Sequence, residues 1–189
     1  MLRVLNCYVG QCLRPETYRA LVNNVPIGSL EMINVAGNVS RYWSEFRKRW
    51  VGKYDLMTVE QDNVITPDMI PSFNMCDQPW CVYAYDGPFH MDDRTIKTGL
   101  GCTRFSAGLQ REIPVEMIHD KDYFTWNLLD YRIAIVLTDH GYEPHVHGRV
   151  QHLHGYSDDD SFNEKQKTII HLNTIDVPDD AITLMKQAA

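Results

Sequence analysis

Three short stretches of the chain concentrate side chains able to do acid–base or metal chemistry. In the first, Glu60-Gln61-Asp62 sets two carboxylates one residue apart, directly after the apolar run Leu56-Met57-Thr58-Val59. Carboxylates so spaced can share a hard divalent cation that also binds phosphate oxygens. In open α/β sheets, ligands sit outside the carboxyl ends of the strands. The same residues also read as an acidic loop ahead of Pro67. In the second stretch, Asn127-Leu128-Leu129-Asp130 opens an amphipathic run. Asn127 there reads as a helix cap, and Asp130, three residues on, meets the positive helix end. That setting favours the ionised carboxylate, the form a general base needs. The third stretch holds five of the eight histidines: His140, His145, His147, His152 and His154. On strands, His145 with His147 and His152 with His154 would share a face, and imidazole binds Zn, Mn or Fe well. With an added acid, these four histidines would suit a zinc hydrolase or a non-haem iron enzyme.

The elements that must position these groups follow from patterning. Leu2 to Val9 reads as a strand, with Pro15 opening a helix that Glu16 to Asn23 continues. Leu30 to Val35 reads as a second strand. A helix then follows Asn38, with Val39, Tyr42, Trp43, Phe46 and Trp50 on one face and Arg41, Arg47, Lys48 and Arg49 crowding the rest. Leu56 to Val59 and Trp80 to Tyr85 are strand-like, and Asp86 to Thr98 reads as a mobile loop. Ile113 to Ile118 suggests a short turn. Asn127 to His140 is an amphipathic helix stopped by Gly141, with Leu129, Ile133, Val136 and Leu137 as its buried stripe. Glu143 to His147 and Val150 to His154 suggest strands, and Pro178 to Gln187 a closing helix. Strands alternating with helices predict an α/β fold, a mostly parallel sheet flanked by helices in one domain.

At 189 residues, with 44% hydrophobic and 11% aromatic side chains, the chain can bury a core and is not disordered. No stretch approaches 18 apolar residues, and polar interruptions at Arg3, Asn6, Gln11 and Arg14 argue against a signal peptide. Eighteen basic against 25 acidic residues give a net charge of −7, which opposes a uniformly basic nucleic-acid-binding surface. Cys7, Cys12, Cys76, Cys81 and Cys102 form an odd set, expected reduced in a cytoplasmic protein. The pairs Cys7/Cys12 and Cys76/Cys81 are too widely spaced for a zinc knuckle, so burial as small hydrophobes is expected. The sequon Asn38-Val39-Ser40 carries no weight in such a protein. The sequence lacks G-x-G-x-x-G after its first strand, a P-loop lysine motif, H-E-x-x-H and G-x-S-x-G. Dinucleotide dehydrogenases, P-loop kinases, zincins and serine hydrolases are therefore disfavoured.

Taken in order, these motifs resemble the GT-A fold of nucleotide-sugar-dependent glycosyltransferases, in particular small phage-encoded ones, some associated with hydroxymethylated bases in phage DNA. Glu60-Gln61-Asp62 is similar to the D-x-D motif, and Gly99-Leu100-Gly101-Cys102-Thr103-Arg104-Phe105-Ser106 to an acceptor-side glycine-rich segment. Trp126-Asn127-Leu128-Leu129-Asp130 resembles the x-E-D motif that opens a helix. The resemblance covers roughly residues 1 to 156. It implies a nucleotide-sugar half over about 1–86, an acceptor and catalytic half over about 87–156, and a polar tail with a C-terminal helix over 157–189. It also implies a Mn²⁺ or Mg²⁺ cofactor held by Asp62, Glu60 and His154 or His152, with a nucleotide sugar, UDP-sugar favoured, as donor. Asp130 would serve as base, with Arg104, Gly101, Trp126 and Gln61 contacting substrate. A 5-hydroxymethylpyrimidine such as 5-hydroxymethylcytosine in phage DNA is one acceptor it suggests, in a host-cell cytoplasm. The basic face of the second helix would then follow phosphates while Trp43, Trp50, Trp80 or Tyr85 stacks a base. The lack of a long apolar stretch predicts no membrane span, and no obligate protein partner is evident in the sequence. Two departures stand out: Glu60 replaces the first Asp, and Leu129 replaces the acid before Asp130.

Overall fold

The first strand is apolar on both faces, as a strand buried between two layers must be. β1 (Leu2–Tyr8) points Leu5 and Cys7 to one side and Leu2 and Val4 to the other. It lies between two parallel neighbours, β2 (Leu30–Asn34) and β3 (Asp55–Val59). α1 (Pro15–Asn24) joins β1 to β2, with Pro15 in its first turn. α2 (Ser40–Arg49) then carries the chain from β2 back past β1 to β3. A computed structural model describes residues 1–9, 12–36, 40–84, 89–91, 94–96, 99–118 and 129–153.

Beyond β3 the order departs from the sequence pattern. β4 (Asn63–Val64) and α3 (Met69–Met75) precede β5 (Trp80–Ala84), and the next sheet strand to form is β8 (Cys102–Phe105). β8 inserts between β3 and β5, antiparallel to both. β9 (His145–Arg149) adds parallel to β5 at the edge, giving the order β2-β1-β3-β8-β5-β9. The sheet is thus mixed but mostly parallel. The glycine-rich segment expected to contact an acceptor is the lead-in to a central strand. The expected loop from Asp86 to Thr98 contains a small antiparallel pair, β6 (Phe89–Met91) and β7 (Arg94–Ile96).

Helices cover both faces of the sheet. On one side α2, α4 (Ala107–Glu112), α5 (Val115–Ile118) and α6 (Leu129–Asp139) pack around Phe46, Trp50, Phe105 and Ile133. On the other, α1 and α3 pack Leu21, Ile70 and Phe73 against Met57, Val59 and Cys81. Ser106 caps α4 by accepting from the Leu109 N–H at 3.1 Å. α6 stops at Gly141, as the sequence predicted. Its φ of +84° is left-handed, a conformation open to glycine, and Tyr142 N–H closes back on the Leu137 carbonyl at 2.9 Å. The expected Asn127 cap and the expected helix over 178–187 lie outside the described residues.

The aromatic and basic faces of α2 are used internally. Trp50 and Trp80 are core residues, and the Trp50 indole N–H donates to the Ile113 carbonyl at 2.7 Å. Neither is open to stack a base. Arg49 is paired with Glu31 and Glu45, Lys48 with Glu45, and Arg47 with Glu116. Three of the four basic residues once available to a phosphate backbone are therefore engaged with carboxylates. Tyr85 lies outside the described residues.

Candidate functional site

The chain leaves β1 toward β2 on one side and leaves β3 toward β5 on the other. Where neighbouring strands diverge in this way, a crevice opens at their carboxyl ends. A pocket lies there, lined by Cys7, Val9, Val35, Tyr42, Glu60, Gln61 and Asp62. Its apolar wall comes from β1, the end of β2 and α2, and its polar wall is the acidic motif. The motif thus stands at the position the sequence predicted.

Hydrogen bonds fix the backbone of this motif. Glu60 N–H donates to the Gly101 carbonyl at 2.9 Å, and Thr58 Oγ1 donates to the Leu100 carbonyl at 2.7 Å. Asn6, fully buried, donates from Nδ2 to the Val59 carbonyl at 2.8 Å. Gln61 accepts from the Val9 N–H at 2.9 Å through Oε1, and its own carbonyl accepts from the Arg14 N–H. Gln61 therefore stitches the two strand ends together across the crevice.

Asp130 arrives from α6. Its Oδ2 accepts from the Leu100 N–H at 3.1 Å, so the turn that anchors Glu60 also anchors Asp130. Burial, and then the charges of Asp130 and Asp62, push the Glu60 carboxyl well above its ordinary pKa. Three carboxylates separated in sequence by up to 70 positions thus share one electrostatic field. Leu129 is 7% exposed and packs in the core, which explains the departure at that position: an acid there would be buried without water.

His152 completes the cluster. β10 (Gln151–His152) pairs antiparallel with β4, setting His152 opposite Asn63. The His152 Nε2 lies 3.1 Å from Asp62 Oδ2, and the Leu153 N–H donates to the Asp62 carbonyl at 2.8 Å. Glu60, Asp62, Asp130, His152, Gln61 and Gly101 are thus brought to one end of the sheet. His154 and Trp126 lie outside the described residues.

Arg104 is not brought there. It is 4% exposed on β8, its Nε 3.1 Å from Asp55 Oδ2, and it donates to the carbonyls of Gln78 and Cys76. Asp55 opens β3 whereas Glu60 follows its end, which separates the two by roughly 17 Å at the usual strand rise. Arg104 is a core ion-pair residue, and its guanidinium is far from any diphosphate held at Glu60. The histidine cluster is likewise divided. His145 and His147 converge with Cys76 and Cys81, while His152 stands on Asp62. The sequence set the Cys76/Cys81 pair aside as too widely spaced for a zinc knuckle, because its partners in the fold lie more than 60 residues on and no short spacing marks them. Cys7 and Cys102 do behave as buried thiols: burial pushes the Cys7 pKa up to about 12 and that of Cys102 higher.

The fold and site define an α/β sheet protein with an acidic crevice at its strand switch point. No protein-family model and no curated protein matches the chain. Among solved structures it is similar to the crystal structure of A197 from STIV, with a TM-score of 0.51 and 10% sequence identity, over 82% of this chain and 87% of that one. At that identity the likeness is one of fold.

Proposed function

We propose that the protein is a metal-dependent glycosyltransferase that moves a sugar from a nucleotide sugar, UDP-sugars first, to an acceptor hydroxyl. One observation carries the reading: Glu60, Asp62, Asp130 and His152 converge at the carboxyl end of β3, beside a pocket with an apolar wall. The donor set fits the cofactor, since crowded carboxylate oxygens with one imidazole suit Mn²⁺ or Mg²⁺. Bound there, the cation would neutralise charge on the departing diphosphate.

This chain's residues would divide the work. Asp62 and Glu60 would hold the cation, with His152, whose Nε2 is 3.1 Å from Asp62 Oδ2, completing the donor set. Val9, Val35 and Tyr42 receive the base or ribose of the donor. Asp130, held by the Leu100 amide, orients the acceptor hydroxyl and takes its proton as the sugar is attacked. The acceptor class is open to a hydroxymethylated base in DNA, although the paired basic face of α2 offers that acceptor little support.

A thermal-shift panel of UDP-, GDP-, ADP- and dTDP-sugars, each with and without Mn²⁺, tests the reading. A ligand at 100 times its dissociation constant stabilises by about 2.7 kcal/mol. A shift with one nucleotide that requires Mn²⁺ is expected. No shift with any of them in a folded protein would overturn the proposal.

A further inference from the structure

We infer a second metal site, for Zn²⁺, formed by Cys76, Cys81, His145 and His147. It is independent of the transferase reading. Cys76 is the residue that ends α3, Cys81 lies in β5, and the histidines lie two apart on β9. The strand pairing that sets Cys81 opposite His145 brings these elements together. One ligand atom from each residue can be chosen so that all four lie within 4.8 Å of one another. Cys76 Sγ is 3.1 Å from Cys81 Sγ and 3.2 Å from His145 Nδ1. A tetrahedral Zn²⁺ with ordinary Zn–S and Zn–N bonds needs separations of about 3.3–3.8 Å. Side-chain adjustments of a few tenths of an ångström to about one would seat it.

Two further observations point to a ligand. The Nε2 of His147 is buried and, among the described residues, finds no hydrogen-bond partner, although the ring is held between Phe73, Tyr83 and His145. A buried ring nitrogen wants a donor, an acceptor or a metal. Secondly, no side chain of β9 is fully buried, and Val146 is 48% exposed. Backbone pairing to β5 would be the main hold on this edge strand, yet the strand leads directly to His152. A metal tied to α3 and β5 would hold β9 in place.

Two thiolates with two imidazoles select zinc over the hard cations suited to the acidic crevice. Four protein ligands fill a tetrahedral shell and leave no position for a reactive water, so the site is structural. On binding, Cys76 and Cys81 each release a proton to solvent and coordinate as thiolates.

The test uses the full chain purified without chelator. Elemental analysis should find one zinc per chain. Replacement by Co²⁺ should give the visible bands of a four-coordinate ion with thiolate charge transfer. His145→Ala, at an exposed position, and Cys76→Ser should each lose the zinc, whereas Asp62→Asn should keep it. Wild-type protein stripped by chelator should melt lower and recover with Zn²⁺ but not Mn²⁺. Absence of stoichiometric zinc, a Cys76–Cys81 disulfide in the purified chain, or zinc retained by both Cys76→Ser and His145→Ala would overturn the inference. The nucleotide-sugar panel fails or succeeds separately from all of these.

Discussion

At the carboxyl end of β3 the polar groups are three carboxylates and one imidazole, set beside an open pocket. Two strands across and three residues down, around Cys81, they are two thiols and two imidazoles, of which the His147 ring packs against Phe73 and Tyr83. Both regions gather residues remote in sequence, and both draw on β9–β10. They differ in ligand hardness and in access. Oxygen-rich groups at a crevice suit an exchangeable ion that shares its shell with substrate. Sulfur and nitrogen groups that can fill a shell suit an ion that stays. The lesson is that a run of histidines in sequence need not be one site. His147 and His152, five residues apart, serve two different clusters.

The sharpest way to break this comparison is Arg104. If it belongs to the structural end, Arg104→Met should destabilise by roughly 3 kcal/mol, because it leaves Asp55 and two carbonyls without their buried partner. Chemical denaturation reads this, and the metal-dependent nucleotide-sugar shift should persist. Loss of that shift in a folded variant would return Arg104 to the substrate site. Next, Asp62→Asn should remove metal-dependent turnover with little change in melting temperature, and near-normal turnover would detach Asp62 from the metal.

Asp130→Asn should lower turnover by about 10²-fold or more if the carboxylate is the base, with donor binding kept. A fall in melting temperature with activity kept would make Asp130 merely the anchor of the Leu100 turn. The smallest effect concerns Glu60 in metal-free protein. Its pKa is raised in the fold, so the folded state holds the proton more tightly. That contribution is complete below the unfolded carboxyl pKa and is lost as pH rises through the folded one. Glu60→Gln should therefore stabilise the metal-free chain near neutral pH, with the gain shrinking toward acid. Melting curves in EDTA across pH should show that convergence, and a gain constant with pH would remove the buried-charge explanation.

Much of the first half of the fold was legible. β1, α1, β2 and β3 announce themselves through apolar runs and the placement of Pro15, and the acidic motif at the end of β3 follows from them. β8 was not legible. Its sequence Cys102-Thr103-Arg104-Phe105 carries a charge, and the partner that makes this tolerable, Asp55, lies 49 residues earlier. Arg104 therefore read as a ligand-facing residue when it is a buried one. The cysteine pair failed for the same reason, since Cys76 meets His145 across 69 residues. Patterning reports a residue's own face of a strand, and it is silent about which distant strand will lie beside it.

The insertion of β8 also sets an order of assembly. As the chain leaves the ribosome, β2, β1 and β3 can pair early, but the outer edge of β3 and the near edge of β5 both wait for residues 102–105. Until then, two apolar strands expose unpaired backbone, the state most prone to sticking to other chains. Translation arrested before Phe105 would thus yield a fragment that chaperones must hold, and the edge strand of the six-stranded sheet, β9 on β5, comes some 40 residues later still.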